Sequence, residues 1–155
     1  MKAQDLMSKP AVTCHVNDSL NVAAQKMWEH DCGALAVVND DGALTGMITD
    51  RDVCMAAYTQ GRPLSECLVH TAMSTRVRSA TAEQSASDLA QIMAEGQIRR
   101  VPIVDAANVP IGMVSLNDLA IEASRPNTAM KHGLAKIAHT LAAICKPRVP
   151  HRQAA

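Results

Sequence analysis

A chain of 155 residues that is 48% hydrophobic and 19% charged can bury an ordinary core and lies far from the composition of disordered chains. Its fifteen basic and fifteen acidic side chains cancel, so no overall field draws it to nucleic acid or an anionic membrane. With one Trp, one Tyr and no Phe it also lacks the stacking platforms of single-strand binders, and a bound base would rest between aliphatic side chains.

The first residues contain no apolar targeting run, and no stretch approaches the roughly 20 apolar residues of a membrane span, so the chain reads as soluble and cytoplasmic. A short extended piece at Val12-Thr13-Cys14 precedes a helix that Asp18 or Ser19 can cap, with Leu20, Ala23, Ala24 and Met27 at helical spacing. Two strands follow, Ala34 to Val38 and Leu44 to Thr49, joined by a turn at Asp40-Asp41-Gly42. A helix from Asp50 to Gln60 stops at Gly61, and Arg62 to Thr71 is a short connector with room for a turn of helix.

The same order then returns. Arg78-Ser79-Ala80 is extended, Ser85 caps a helix with Leu89, Ile92 and Met93 inward, and strands run from Val101 to Val104 and Val109 to Ser115. A helix from Leu116 to Ser124 ends at Arg125-Pro126. A shift of 66 positions, from Gly46 to Gly112, sets Met7-Ser8 on Met73-Ser74, Met27 on Met93 and Asp52 on Asp118 without a gap. Two copies of so long a period make no solenoid array, so a pseudo-symmetric pair sharing one core is expected. The repeats span 5–61 and 71–125 with 62–70 between them. An amphipathic helix over 127–146 carries Met130, Leu134, Ile137, Ala138, Leu141 and Ile144 on one face, and 147–155 is a frayed tail.

The repeat is most legible in Gly46-Met47-Ile48-Thr49-Asp50-Arg51-Asp52 and Gly112-Met113-Val114-Ser115-Leu116-Asn117-Asp118. Thr49 and Ser115 stand where a strand gives way to a helix, so unpaired N–H groups and the positive end of the helix favour an anion there. A hydroxyl at that point can donate to a phosphate oxygen. Asp52 and Asp118, three residues on, lie on the same face and can accept from the paired hydroxyls of a ribose. Gly46 and Gly112 leave room for a ligand or a neighbouring backbone. Ser/Thr-x-x-Asp is also an ordinary capping box, and Ser85-Ala86-Ser87-Asp88 supplies an internal control: the same spacing at a helix start with no glycine strand before it. The preceding strand and the position in the repeat separate the two motifs from this cap.

These strings, together with Asp5-Leu6-Met7-Ser8, Asp31-Cys32-Gly33-Ala34-Leu35 and Arg99-Arg100-Val101-Pro102-Ile103-Val104-Asp105, resemble paired CBS domains, also called a Bateman module. The resemblance implies an α/β fold of two β-α-β-β-α repeats packed sheet to sheet about a pseudo-twofold axis, here with a C-terminal helix added. It also implies two clefts for adenosine ligands such as AMP, ADP or ATP, in some members NAD or S-adenosylmethionine, and a flat homodimer. The expected role is a non-catalytic sensor acting on a separate, unidentified protein partner. Carried over residue by residue, Thr49 and Asp52 serve one cleft and Ser115 and Asp118 the other, while backbone near Thr13 to His15 and Ser79 to Thr81 reads the adenine edge. Arg51 can pair with a phosphate and its counterpart Asn117 cannot, so the clefts are unequal; Arg99 and Arg100 are candidates to supply charge to the second.

His15, His70, His132 and His139 with Cys14, Cys67 and Cys145 match no zinc spacing, and only His132 and His139 share a helix face. A Cys14–Cys32 disulfide would make the chain a redox sensor, which the cytoplasmic reading opposes. No catalytic set assembles from neighbouring motifs. The rival to nucleotide sensing is a stress-related structural protein, or one that senses metal or thiol state.

Overall fold

The computed structural model describes residues 1–123 and 133–145. Its elements run α1 (Ala3–Leu6), β1 (Thr13–His15), α2 (Leu20–Glu29), β2 (Ala34–Val38), β3 (Leu44–Thr49) and α3 (Asp50–Gln60) in the first half. The second half holds β4 (Ala80–Thr81), α4 (Ala86–Gly96), β5 (Arg100–Val104), β6 (Pro110–Ser115), α5 (Leu116–Ala123) and α6 (Gly133–Ile144). Two 3-10 turns, Leu64–Glu66 and Val69–Thr71, form the connector.

Each repeat makes a three-stranded sheet whose central strand, β2 or β5, is parallel to one neighbour and antiparallel to the other. The central strands read as unbroken apolar runs because both faces are covered; Ala34 to Val37 and Val101 to Val104 are buried. Registers coincide at the 66-residue shift: Ala34 faces Thr49 as Arg100 faces Ser115, and both ladders slip at one place, Val37/Val38 and Ile103/Val104. β1 and β4 start later than Val12 and Arg78 suggest, since parallel pairing to β2 and β5 begins only at Thr13 and Ala80.

The expected single core is instead two clusters, one per repeat. Leu20, Leu35, Val37, Ile48 and Val69 fill the first, and Leu89, Met93, Ile103, Val114 and Leu119 the second. Each sheet has its own pair of helices, and fully burying a side chain such as Leu35 or Ile103 contributes about 1.5–3 kcal/mol. Ile137 and Ile144 bring α6 onto the second cluster alone.

The segments that lead into each repeat dock on the other repeat. Residues 1–8, including the short helix α1 that no periodic pattern announces, pack on repeat 2: Ala3 joins its core, and Ser8 exchanges backbone bonds of 2.9 and 3.0 Å with Met113. Ser74 does the same with Met47 at 2.9 and 3.0 Å. This explains Gly46 and Gly112. A methyl on Gly112 would lie 2.5 Å from Met7 Sδ and 2.9 Å from the Ser8 carbonyl, and one on Gly46 2.6 Å from Met73 Sδ and 3.1 Å from the Ser74 carbonyl. The bare glycine admits a neighbouring backbone.

Candidate functional site

The strand-to-helix corners carry the motif side chains. Thr49 is the N-cap of α3; its N–H and hydroxyl donate to Asp52 Oδ2 at 2.8 and 2.7 Å, and the Asp52 N–H returns a bond to Thr49 Oγ1 at 3.2 Å. Ser115 and Asp118 close the same cycle at 2.7, 2.6 and 3.3 Å. So does the control pair, Ser85 and Asp88, at 2.9, 2.8 and 3.2 Å. All three are capping boxes, and the bonding alone gives the motifs no distinction. Their surroundings differ. Thr49, Asp52, Ser115 and Asp118 are half-buried where an outer strand, β3 or β6, runs into its helix, whereas Asp88 is exposed. Backbone and hydroxyl bonds from Ser85 hold the Asp88 carboxyl below its ordinary pKa.

The cycle uses one carboxylate oxygen. Among the described residues Oδ1 of Asp52 and of Asp118 receives no hydrogen bond, which leaves each able to accept from a ligand hydroxyl. The hydroxyl hydrogens of Thr49 and Ser115 already point at their aspartates, so donating to a phosphate requires the hydroxyl to turn.

The topology sorts the other candidates by end of sheet. Thr13, on the outer strand beside β2, lies near the Thr49 end because it pairs with Ala36 while Thr49 pairs with Ala34. Its carbonyl accepts from Lys26 Nζ at 2.9 Å. His15 pairs with Val38 at the far end; its Nδ1 accepts from Asn17 N–H at 3.1 Å, so Nε2 carries the hydrogen that meets Asp40 Oδ1 at 2.9 Å. The N–H groups of His15 and Thr81 are taken by Asp18 Oδ2 and Gln84 Oε1, both at 2.8 Å, and Thr81 is likewise far from Ser115. Arg51 is exposed and in no ion pair among the described residues. Arg99 is exposed, and its carbonyl accepts from Leu116 N–H at 2.8 Å.

Arg100 is placed by the tertiary fold. A methyl on Gly33 would sit 2.8 Å from Asp50 Oδ2 and 3.2 Å from Arg100 Nη2, so this guanidinium from repeat 2 reaches the Thr49–Asp50 corner of repeat 1. Lys26, which the sequence reading passed over, adds a second cation near Thr13. Its only signal in the sequence was a break in symmetry, since Ile92 holds the equivalent position.

Beside this corner, between α2 and α3, lies a hollow of about 490 Å³ lined by Met27, Trp28, Cys32, Gly33, Asp50 and Val53 among others. All five cysteines are free thiols. Burial, helped by nearby Asp18, pushes the Cys14 thiol up to about 12, which keeps it protonated. Among the described residues no three His, Cys, Asp or Glu side chains converge on a cation-sized space; His132 lies outside those residues and His139 is exposed. Nor is any described helix long and apolar enough to cross a membrane.

The doubled corner, the matched registers and the exchanged leading segments describe one repeated unit, and a CBS domain model matches residues 3–58 and again 68–124. The chain belongs to the CBS-domain family. This CBS pair is 38% identical over 136 residues to the CBS domain-containing protein YhcV of Bacillus subtilis (strain 168), which covers 88% of this chain and 94% of that one. Its fold matches the CBS domain pair of protein MJ0100, solved in complex with 5′-methylthioadenosine and S-adenosyl-L-methionine, with a TM-score of 0.72 at 27% identity over 79% of this chain and 94% of the other. It also matches Hypoxic Response Protein I, solved with two coordinated zinc ions, with a TM-score of 0.71 at 30% identity over 78% and 98% of the chains.

Proposed function

We propose that this CBS pair is a non-catalytic sensor that binds an adenosine-type ligand at its two motif corners and conveys occupancy to a protein partner in the cytoplasm, working as a homodimer. The observation that carries the reading is the doubled, half-buried corner at Thr49–Asp52 and Ser115–Asp118. Each combines a helix start with a carboxylate oxygen still open to a ribose hydroxyl. The apolar strands beside each corner suit a base in a chain with only two aromatic residues. The related pair that takes 5′-methylthioadenosine and S-adenosyl-L-methionine supports an adenosine core, whether the ligand bears phosphates or a sulfur-linked group.

A thermal-shift panel of AMP, ADP, ATP, NADH, S-adenosylmethionine and 5′-methylthioadenosine tests it. A ligand at 100 times its dissociation constant adds about 2.7 kcal/mol, which raises the midpoint of a domain this size by roughly 5–10 °C. No shift with any member, alongside a shift with zinc or reductant, would replace nucleotide sensing by metal or thiol sensing.

A further inference from the structure

We infer that the hollow beside the Thr49–Asp50 corner is a thiol-exchange site for small cationic disulfides, at which Cys54 attacks, Cys32 resolves, and Asp31 and Asp50 select for positive charge. The inference goes beyond ligand sensing and does not depend on what the corners bind.

The hollow of about 490 Å³ lies between α2 and α3, with Met27 and Val53 in its apolar lining. Two thiols and two carboxylates also open on it: Asp31 and Cys32 from the turn after α2, Asp50 and Cys54 from α3. Asp50 and Cys54 are four residues apart and share a helix face. That face meets the turn directly, because the Asp50 N–H donates to the Gly33 carbonyl at 3.2 Å and Asp50 Oδ2 lies 2.8 Å from where a Gly33 methyl would be. Among the described residues neither Asp31 nor Asp50 is in an ion pair. Trp28, 88% exposed, adds a ring to the wall, and the face of an indole attracts an alkylammonium.

Repeat 2 shows that the fold does not require this lining. The 66-residue shift sets Asp31, Cys32, Asp50 and Cys54 on Gln97, Ile98, Leu116 and Ala120. Every charge and thiol is gone there, and α6 lies over α4 and α5, with Gln97 Nε2 donating to the Ala143 carbonyl at 3.2 Å. Two helices pack on a sheet in both repeats, so the thiols and carboxylates of repeat 1 answer to something other than packing.

Exposure orders the two thiols, since Cys54 is exposed and Cys32 half-buried. The Cys54 thiolate attacks one sulfur of a small disulfide RS–SR, the S–S bond breaks, and RS⁻ leaves and takes up the proton that Cys54 gave to water. The Cys32 thiolate then attacks the Cys54 sulfur of the mixed disulfide and expels the second RS⁻. Two thiols of the chain are oxidised to one disulfide while one RS–SR is reduced to two RSH. The new bond joins the start of α3 to the turn before β2, which brings thiol state to the Thr49–Asp52 corner.

The test treats the reduced full-length chain at low ionic strength with cystamine, a dication, or dithiodiglycolate, a dianion, and follows each cysteine by peptide mass spectrometry. We expect cystamine to modify Cys54 about tenfold faster or more than dithiodiglycolate does. It should also modify Cys54 faster than Cys145, which is exposed but does not line the hollow. The product should be a Cys32–Cys54 disulfide within one chain, and Cys32→Ser should stop at the cysteamine adduct of Cys54. Asp31→Asn should narrow the preference for cystamine with unchanged circular dichroism, since φ +48° at this position suits Asn as well as Asp.

Equal rates with the two reagents, or equal rates at Cys54 and Cys145, would overturn the site. Faster reaction with dithiodiglycolate would mean that the Arg100 guanidinium, which also approaches Gly33, commands the hollow, and would overturn the charge selection. A mixed disulfide that persists in the native chain, or a Cys54 bond to another chain, would overturn the role of Cys32. Failure of the ligand panel with the expected exchange intact would remove the nucleotide reading alone.

Discussion

Three hydroxyl–carboxylate pairs in this chain close the same cycle of hydrogen bonds, and only two of them stand at a half-buried strand end. That arrangement separates capping from binding by experiment. Asp52→Ala, Asp118→Ala and Asp88→Ala should each cost about 1 kcal/mol in urea unfolding, the usual worth of a helix cap. Asp52→Ala and Asp118→Ala should in addition each abolish one ligand-binding event in calorimetry, while Asp88→Ala leaves both intact. Equal loss of binding from all three would assign the motifs to folding. The capping box was legible in the sequence because it depends on residues three apart. Which carboxylate oxygen stays open was not, since it depends on which way a side chain turns within the folded corner.

Among the elements, the leading segments show how a local signal can be seen and its meaning missed. Glycine at positions 46 and 112 announces that something comes close, but the sequence cannot say whether a ligand or a chain does so. The fold answers with Met73-Ser74 and Met7-Ser8, each crossing to the other repeat. Gly112→Ala should therefore lift residues 1–8 from β6, destabilise the protein by about 1–3 kcal/mol as overpacking does, and speed limited trypsin cleavage after Lys2. Unchanged resistance after Lys2 would show that the segment gives way without leaving. The central strands and their covering helices were readable from apolar periodicity, with starts displaced by one or two residues at β1 and β4. A four-residue helix such as α1 is too short to show a period, and its position follows from docking on repeat 2.

At the scale of the molecule, near-perfect repetition coexists with unequal halves. Repeat 1 carries Arg51 and Lys26 where repeat 2 has Asn117 and Ile92, and it receives Arg100 from across the pair. An adenosine phosphate should bind in two calorimetric steps, tighter at Thr49–Asp52. Arg100→Ala should weaken the tighter step by roughly tenfold or more, the scale of one charged hydrogen bond, and spare the other. Two equal steps, or weakening at Ser115–Asp118 instead, would reverse that assignment. The sequence by itself determined the repeat, the family and the two corners, because these rest on spacing along the chain and on helix and strand periodicity. Only the tertiary structure decided that each repeat keeps its own core, that the Arg100 guanidinium lies against the opposite half, and that α6 covers one of two equivalent faces. Those are contacts between residues far apart in sequence, and a symmetric repeat offers each segment two equivalent places to pack; the choice between them is made by the folded surfaces that meet.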